Sequence, residues 1–157
     1  MEESVPGKDY IGVSTPFFCV NGSGEILFQL RGTETRDESG RWDPGSGKLE
    51  KGLELEENVK KEVREELNTE CTIIDRLPAH GIFREHKGEK IHWLVAPFFV
   101  KVDEKDVEIN EPEKIEELTW AEPGNFPQPF HTGFDTTFSR YREKFEQVLE
   151  KVRNGVI

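Results

Sequence analysis

The segment Leu55–Leu67 constrains the fold most, because its apolar residues recur at helical spacing while an acidic residue interrupts their face. At about 100° per residue, its branched apolar side chains form one stripe. They are Leu55, Val59, Val63 and Leu67. Glu66 falls inside this stripe, whereas Lys61 points to the opposite side. The pattern predicts an α-helix from about Glu54 to Leu67 that packs on a core and carries a glutamate toward it.

Three glutamates of this helix lie close together. Glu62, Glu65 and Glu66 occupy positions i, i+3 and i+4, where side chains are neighbours. Like charges at this spacing destabilise a helix by roughly 0.2–0.5 kcal/mol per pair, and by more where water is excluded. A hard divalent cation compensates such a cluster, because Mg²⁺ prefers carboxylate oxygens and is shared with substrate phosphates. The alternative is a solvated acidic helix with ordinary Glu–Lys pairs, which the position of Glu66 weakens.

Strand-like segments and one further helix make up the rest of the chain. The predicted strands cover Ile11–Val20, Glu25–Arg31 and about 71–84, 90–102 and 118–121. The turn 21–24 predicts a hairpin between the first two, and residues 32–47 are predicted to form a loop. Apolar residues three and four apart predict an amphipathic helix from Phe134 to Val152. These elements indicate a mixed sheet covered by helices, in a single domain over residues 1–157.

Composition limits the partners that the chain is expected to bind. The 32 acidic residues outnumber the 21 Lys and Arg residues, and the net charge of −11 argues against a nucleic-acid polymer. The longest nearly unbroken apolar run, Leu94–Val100, has 7 residues and contains a proline, so no membrane span is predicted. Residues 1–10 lack the apolar stretch of a secretory signal, and a cytoplasmic location is expected. Cys19 and Cys71 lack metal-site spacing and are expected to be reduced.

Residues 47–69 resemble the Nudix box. That motif reads Gly, five residues, Glu, seven residues and then Arg-Glu-apolar-x-Glu-Glu-x-Gly. Gly47 opens the segment, and its second half, Glu62-Val63-Arg64-Glu65-Glu66, fits the motif without a gap. The flanks are also similar to the family, with Trp42 before the box and Trp120 after an acidic stretch. The length of the match makes it a specific one.

Three positions of the box depart from the motif. Leu53 replaces a glutamate, Lys61 an arginine and Asn68 a glycine. After glycine, asparagine is the residue that best tolerates the left-handed conformation of a helix C-cap, so the change to Asn68 is mild. In the family, the missing Glu and Arg help to fix the loop against the helix. Other residues are therefore expected to orient the glutamates here.

The resemblance implies an α/β fold, namely a Nudix-like α/β/α sandwich with a mixed β-sheet. It implies metal-dependent hydrolysis of a diphosphate bond in a nucleoside diphosphate linked to another moiety. The acidic stretch before Trp120 is similar to that of relatives that act on nucleoside triphosphates, which favours these as the small-molecule substrate. Sugar nucleotides and dinucleotides stay open as alternatives. Carried over by position, the ligands of Mg²⁺, or of Mn²⁺ in its place, are Gly47, Glu62, Glu65 and Glu66. Many relatives are dimers, so a homodimer is an open alternative to a monomer.

The resemblance also implies a general base. Family members place it either in the helix cluster, where Glu65 and Glu66 are the candidates, or on a later loop. The later candidates are Glu111, Glu113 and Glu116, of which Glu116 is preferred. The alternative for these three is a solvated run of charges.

Other residues are candidates for binding the substrate. Arg31, at a strand end, and Lys48, in the box, have the charge to contact phosphate. Trp42, Phe17 and Phe126 have rings on which a base or sugar could stack, although aromatic residues more often belong to the core. Two alternatives to an enzyme are kept open. One is a Nudix-like module that binds a nucleotide or a protein without turnover, and the other is an acidic structural protein.

Overall fold

The computed structural model describes residues 3–35 and 37–157, which form one mixed sheet of nine strands between two helices. The strands are β1 Gly12–Val20, β2 Ile26–Arg31, β3 Trp42–Asp43, β4 Ser46–Lys48, β5 Thr72–Arg76, β6 His80–His86, β7 Glu89–Val95, β8 Phe98–Lys101 and β9 Ile115–Ala121. The helices are α1 Leu55–Leu67 and α2 Thr132–Arg153. The predicted mixed α/β fold is confirmed.

The long strand β1 lies at the centre of the sheet. Its first half pairs with β4 on one side and, in parallel, with β7 on the other. Its second half pairs with β2 and, again in parallel, with β8. The remaining strands extend from these neighbours, with β6 on β7, β5 on β8, and both β3 and β9 on β2.

The two faces of β1 bury different cores. Phe17 and Cys19 pack with the apolar stripe of α1, because alternate side chains of a strand point to opposite faces. Phe18 and Val20 pack on the other face, against the aromatic side of α2. This aromatic set comprises Phe134, Phe138 and Phe145 of α2 together with Phe28, Phe99, Phe126 and Phe130. The helices therefore cover opposite faces of the sheet, as in an α/β/α sandwich.

Two predicted strands are each divided by a proline. The predicted strand 71–84 is β5 and β6, separated at Leu77–Ala79, and the predicted strand 90–102 is β7 and β8, separated at Pro97. Both breaks lie side by side, since the Leu77 N–H donates to the Pro97 carbonyl at 3.0 Å. Proline cannot donate to a ladder, so β1 changes its parallel neighbour from β7 to β8 at this point.

The ends of α1 follow its sequence. The backbone N–H of Glu54 donates to the carboxylate of Glu57 at 3.1 Å, which stabilises the first turn. Asn68 ends the helix in the left-handed conformation, with φ of 52°, and its N–H donates to the Arg64 carbonyl. Asparagine thus takes the place that the motif gives to glycine. Within the described residues, neither helix has the length and apolar character needed to cross a bilayer.

Candidate active site

A cavity of about 990 Å³ lies beside β1, and the glutamates of α1 stand at one end of it. Ser14, Pro16 and Phe18, alternate residues of β1, line its floor. Glu62, Glu65 and Glu66 line its acidic end, together with residues of β4 and of the segment before β9. The structure therefore brings the three predicted metal-binding glutamates to one cavity.

Glu66 is the least compensated of these acids. Its Oε2 atom is inaccessible to solvent and has no hydrogen-bond partner among the described residues. Burial raises the pKa of the Glu66 carboxyl well above its usual value, and the nearby carboxylates of Glu62, Asp43 and Glu111 raise it further. A group in this position is stabilised by a cation or by a proton.

Glu62 packs directly against the backbone of β4. Burial raises the pKa of Glu62 to about 7, with a further contribution from the charge of Glu65. A Cβ atom at Gly47 would lie 2.1 Å from both Cγ and Cδ of Glu62, far inside van der Waals contact. Glycine at this position is therefore required for the carboxylate of Glu62 to lie where it does.

Lys61 explains how the altered box keeps its geometry. Its Nζ atom lies 3.1 Å from Oε1 of Glu50, in the loop before α1, and also bonds to the carboxylate of Glu65. These hydrogen bonds raise the pKa of Lys61. Lys61 and Glu50 thus join the loop to the helix, in place of the family's missing Glu and Arg.

Asn58 makes a second connection between the same elements. This residue is fully buried in α1, and its Nδ2 donates to Oγ1 of Thr15 on β1 at 2.8 Å. Its Oδ1 accepts the backbone N–H of Glu50 at 3.1 Å. A buried amide with both ends bonded is well ordered, so the loop, α1 and β1 are fixed relative to one another.

Glu111 is the acid of the later loop that reaches the cavity. The preceding Asn110 binds the end of α1 twice, with its N–H donating to the Glu66 carbonyl at 3.0 Å and its Nδ2 to the Glu65 carbonyl at 2.9 Å. These bonds hold Glu111 near the acidic cluster, where its charge raises the pKa of both Glu62 and Glu66.

Glu116, the acid preferred from the sequence, lies away from the cavity, and its role as a base stays a prediction. Ile115, the first residue of β9, is buried and lines the cavity, so strand alternation directs Glu116 away from it. Glu116 is exposed and does not line the cavity. Nothing in the sequence distinguished Glu111 from Glu116, since only the bonds of Asn110 to α1 decide which of them faces the helix.

The predicted phosphate-binding residues both line the cavity. Lys48 is exposed and forms no ion pair with the described residues. Arg31 is already bound, since it lies 3.1 Å from the carboxylate of Asp37 and 3.4 Å from that of Asp43. A phosphate would therefore share Arg31 with these acids, whereas Lys48 is free to reach it.

The predicted aromatic residues do not line the cavity. Trp42 packs against the aromatic core, and its backbone N–H donates to the Pro129 carbonyl at 2.8 Å. Phe17 and Phe126 are buried in the two cores. In the structure, Trp42, Phe17 and Phe126 pack in the two cores, and none of them lines the cavity.

A second acidic cluster lies beside the same cavity, which two of its residues, Asp37 and His131, line. Asp37, Glu38 and His131 place their ligand atoms within 4.8 Å of one another, unlike Glu62, Glu65 and Glu66. Arg84 pairs with both acids, at 2.9 Å and 2.7 Å. Burial would raise the pKa of Glu38, but hydrogen bonds from His131 and Thr132 lower it to about 2. This cluster is already compensated by cationic side chains, so it fits a metal poorly.

His131 has a structural role in that cluster. Its Nδ1 accepts the N–H of Gly133 at 3.1 Å and so caps α2, which places the ring proton on Nε2, 2.8 Å from Glu38. The backbone N–H of Thr132 also donates to Glu38, at 2.8 Å. The cluster therefore anchors residues 37–38 to the start of α2.

The comparisons with known proteins agree with the resemblance of residues 47–69 to the Nudix box. A family model described as the NUDIX domain matches residues 12–141. The chain belongs to the NUDIX family. The predicted family is thus confirmed, and its members are pyrophosphohydrolases that act on nucleoside diphosphate derivatives. The prediction of a pyrophosphohydrolase is confirmed with it.

Solved structures show the same fold. A MutT NUDIX hydrolase from Burkholderia pseudomallei is 23% identical, with a TM-score of 0.70 over 82% of this chain and 95% of that one. A MutT protein from Methanosarcina mazei Go1 is 23% identical, with a TM-score of 0.65 over 85% and 94%. A UDP-X diphosphatase is 16% identical, with a TM-score of 0.64 over 94% and 64%. No curated protein sequence matches the chain.

Proposed function

We propose that this Nudix domain hydrolyses a diphosphate bond in a nucleotide and requires a divalent metal ion. The observation that carries the proposal is the buried Oε2 of Glu66, which has no hydrogen-bond partner among the described residues and lies among carboxylates at the end of a large cavity. Hard carboxylate oxygens are the ligands that Mg²⁺ and Mn²⁺ prefer. Glu62, Glu65 and Glu66 would hold the ion, with the backbone of Gly47 beside them.

When bound, the ion would neutralise charge on the phosphoryl oxygens and lower the pKa of a coordinated water. The chain's own groups position the reactants. Lys48 offers a free cation to the phosphates, and Arg31 offers one that Asp37 and Asp43 hold in place. In the reaction, a water oxygen bonds to phosphorus, the bridging oxygen leaves with its electron pair, and a carboxylate takes the proton of the water.

Glu66, whose Oε2 is buried at the end of the cavity, is one candidate for the proton acceptor. Glu65, which pairs with Lys61, is the other candidate. Glu111 is placed to assist, since its charge already acts on Glu62 and Glu66. Replacing each of the three by glutamine and comparing the pH profiles of kcat would identify the base.

Nucleoside triphosphates are the substrates that we propose first, in the cytoplasm as expected from the sequence. The volume of the cavity, about 990 Å³, leaves room for a base, a sugar and several phosphates. Sugar nucleotides are the second class to test, since a UDP-X diphosphatase shares the fold. Loops and cavity side chains set this choice, and the fold does not.

The test is a hydrolysis assay with Mg²⁺ or Mn²⁺ and a panel of nucleoside triphosphates, ADP-ribose, UDP-sugars and dinucleotides. We expect at least one substrate to be cleaved, with kcat lowered by about 10²-fold or more in Glu66→Gln. Glu143→Gln, an exposed glutamate of α2, is the matched control. If no substrate is cleaved faster than by Glu66→Gln, the enzyme proposal is wrong, and nucleotide binding without turnover would support the binding module instead.

A further inference from the structure

Trp93 of β7 is held against the backbone of two glycines. A Cβ atom at Gly12 would lie 2.6 Å from Cε3 and Cζ3 of its six-membered ring. A Cβ atom at Gly7 would lie 2.2 Å from Nε1 and 3.0 Å from Cδ1, on the five-membered ring. Any side chain at either glycine would occupy the space of the indole, so both glycines fix the position of this ring.

The turn that contains Gly7 is itself tied to β7. The Gly7 carbonyl accepts the N–H of His92 at 2.8 Å, and its N–H donates to the Tyr10 carbonyl at 2.7 Å. Lys8 pairs with Glu89, at the start of β7, at 3.2 Å. Residues 5–8 therefore form a wall beside Trp93, and Val5, Pro6 and Lys8 line the cavity with it.

Trp93 differs from the other aromatic residues of the cavity in being partly exposed. Phe18 and Phe134 also line the cavity, but they are 1% and 5% exposed and belong to the core under α2. Among the described residues, no other Phe, Tyr or Trp lines it. Trp93 is thus the aromatic side chain with surface available to a ligand.

The strand register places Trp93 at a useful distance from the glutamates. Gly47 pairs with Thr15, and Trp93 pairs with Gly12, on opposite sides of β1. With strands about 4.8 Å apart and a rise of about 3.3 Å per residue, the Cα atoms of Gly47 and Trp93 are roughly 14 Å apart. An extended nucleotide with its phosphates at the glutamates and its base at Trp93 would span this distance.

We infer that Trp93 and the turn 5–8 form the binding site for the nucleobase. Aromatic side chains bind bases by stacking, and the turn would close the site from the side. This inference rests on the proposed function, because it assigns the base end of the same substrate. It also identifies the residues before β1 as part of the substrate site, although they lie outside the part of the chain that matches the family model.

The first test measures binding without turnover. The chain has three Trp residues, so the double variant Trp42→Phe/Trp120→Phe leaves Trp93 as the only one. AMP, GMP, CMP and UMP, which have no anhydride bond to cleave, are titrated against its fluorescence, with ribose 5-phosphate as the control. We expect saturable quenching by at least one nucleotide and none by the control. Equal quenching by ribose 5-phosphate, or none by any nucleotide, would overturn the inference.

The second test compares variants of Trp93 in the otherwise natural chain. Binding is measured by calorimetry with the nucleotide that quenches most strongly. Trp93→Leu should raise its dissociation constant by roughly 5- to 100-fold, whereas Trp93→Phe keeps a ring and should retain most of the affinity. Trp120→Leu, a partly buried Trp that does not line the cavity, is the matched control. Unchanged binding in a folded Trp93→Leu protein contradicts the inference. Because calorimetry with a monophosphate needs no hydrolysis, this result is independent of whether the proposed activity is found.

Discussion

Lys61 connects the loop before α1 to the glutamate cluster, although the box lacks the Glu and Arg of the family motif. It bonds to Glu50 in the loop and to Glu65 in α1, and so holds one carboxylate of the cluster in position. We expect Lys61→Gln to lower kcat/KM by roughly 10- to 100-fold, the usual effect of losing a group that orients a metal ligand. The melting temperature should change little, because both ion pairs are largely exposed.

The controls for Lys61 separate charge from position. Lys60→Gln removes the same charge from an exposed neighbour and should leave kcat/KM unchanged. Lys61→Arg restores the residue of the family motif and should retain most activity. Equal losses in Lys60→Gln and Lys61→Gln would show that only the net charge of the helix matters.

Glu62 gives the metal-free protein a pH dependence with a definite sign. Its pKa is raised from 4.5 to about 7 in the folded state, so the folded protein binds a proton there that the unfolded chain releases. The free energy of unfolding should therefore fall as pH rises from about 4.5 through 7. We expect a fall of about 1–2 kcal/mol from this residue, after allowing for solvent screening of a half-exposed carboxyl.

Urea unfolding in EDTA at pH 5 and pH 8 measures the contribution of Glu62 to the free energy of unfolding. The wild type should lose more stability between the two values than Glu62→Gln, which has no carboxyl to ionise. Groups far from Glu62 titrate alike in both proteins and cancel in the comparison, whereas Glu66 is coupled to Glu62, so the difference reports this pair of carboxyl groups. Parallel pH profiles for the two proteins would show that the pKa of Glu62 is not raised.

Residue patterns in the sequence predicted part of this site and not the rest. Glu66 was recognisable because helical periodicity placed a carboxylate on an apolar stripe, and the structure shows its Oε2 buried. Glu111 was not, because its position depends on hydrogen bonds from Asn110 to the last turn of α1. Trp93, which we infer binds the base, carried no signal in the sequence, because its position depends on two glycines that are distant in sequence from it.

Strand β4 and helix α1 act together at Gly47. Because a Cβ there would lie 2.1 Å from the side chain of Glu62, Gly47→Ala must move that carboxylate or the strand. A misplacement of about 1 Å at a reacting group costs on the order of 10²-fold in rate, and we expect kcat to fall by about that factor. Gly22→Ala, with no atom within 4 Å of its added Cβ, is the control. Normal kcat in Gly47→Ala would show that the packing of Glu62 on β4 is not required.

Elements were predicted best where one periodicity ran without interruption. The helix over 54–67 was correct to one residue, and the strand pair around the turn 21–24 was also found. The two long strands were predicted as continuous because their apolar patterns pass through the prolines. The division becomes apparent only in the structure, where β1 pairs in parallel first with β7 and then with β8. The short strands β3 and β4 depend on pairing with β2 and β1, and their sequences alone resemble a loop.

The distribution of compensating charge distinguishes the two acidic clusters beside the cavity. Asp37 and Glu38 are paired with Arg31 and Arg84, and Glu38 also accepts a hydrogen bond from His131, so this cluster is stable without an ion. In the cluster on α1, Glu66 has a buried oxygen without a partner among the described residues, and the nearby charges are negative. The net charge of −11 thus includes one local excess that favours cations.

Mg²⁺ should therefore raise the melting temperature of the whole domain, because it would bind to this local excess of negative charge. An ion present at 100 times its dissociation constant stabilises a folded protein by about 2.7 kcal/mol, equivalent to about 5–10 °C for a domain of this size. Differential scanning fluorimetry at pH 8 with MgCl₂, against choline chloride of equal ionic strength, measures the shift. The double variant Glu62→Gln/Glu66→Gln should melt higher than the wild type in EDTA, since its repulsion is removed, and should lose the Mg²⁺ shift. An equal shift in both proteins would place the ion elsewhere, because the variant no longer has two of the three carboxylates that would hold it.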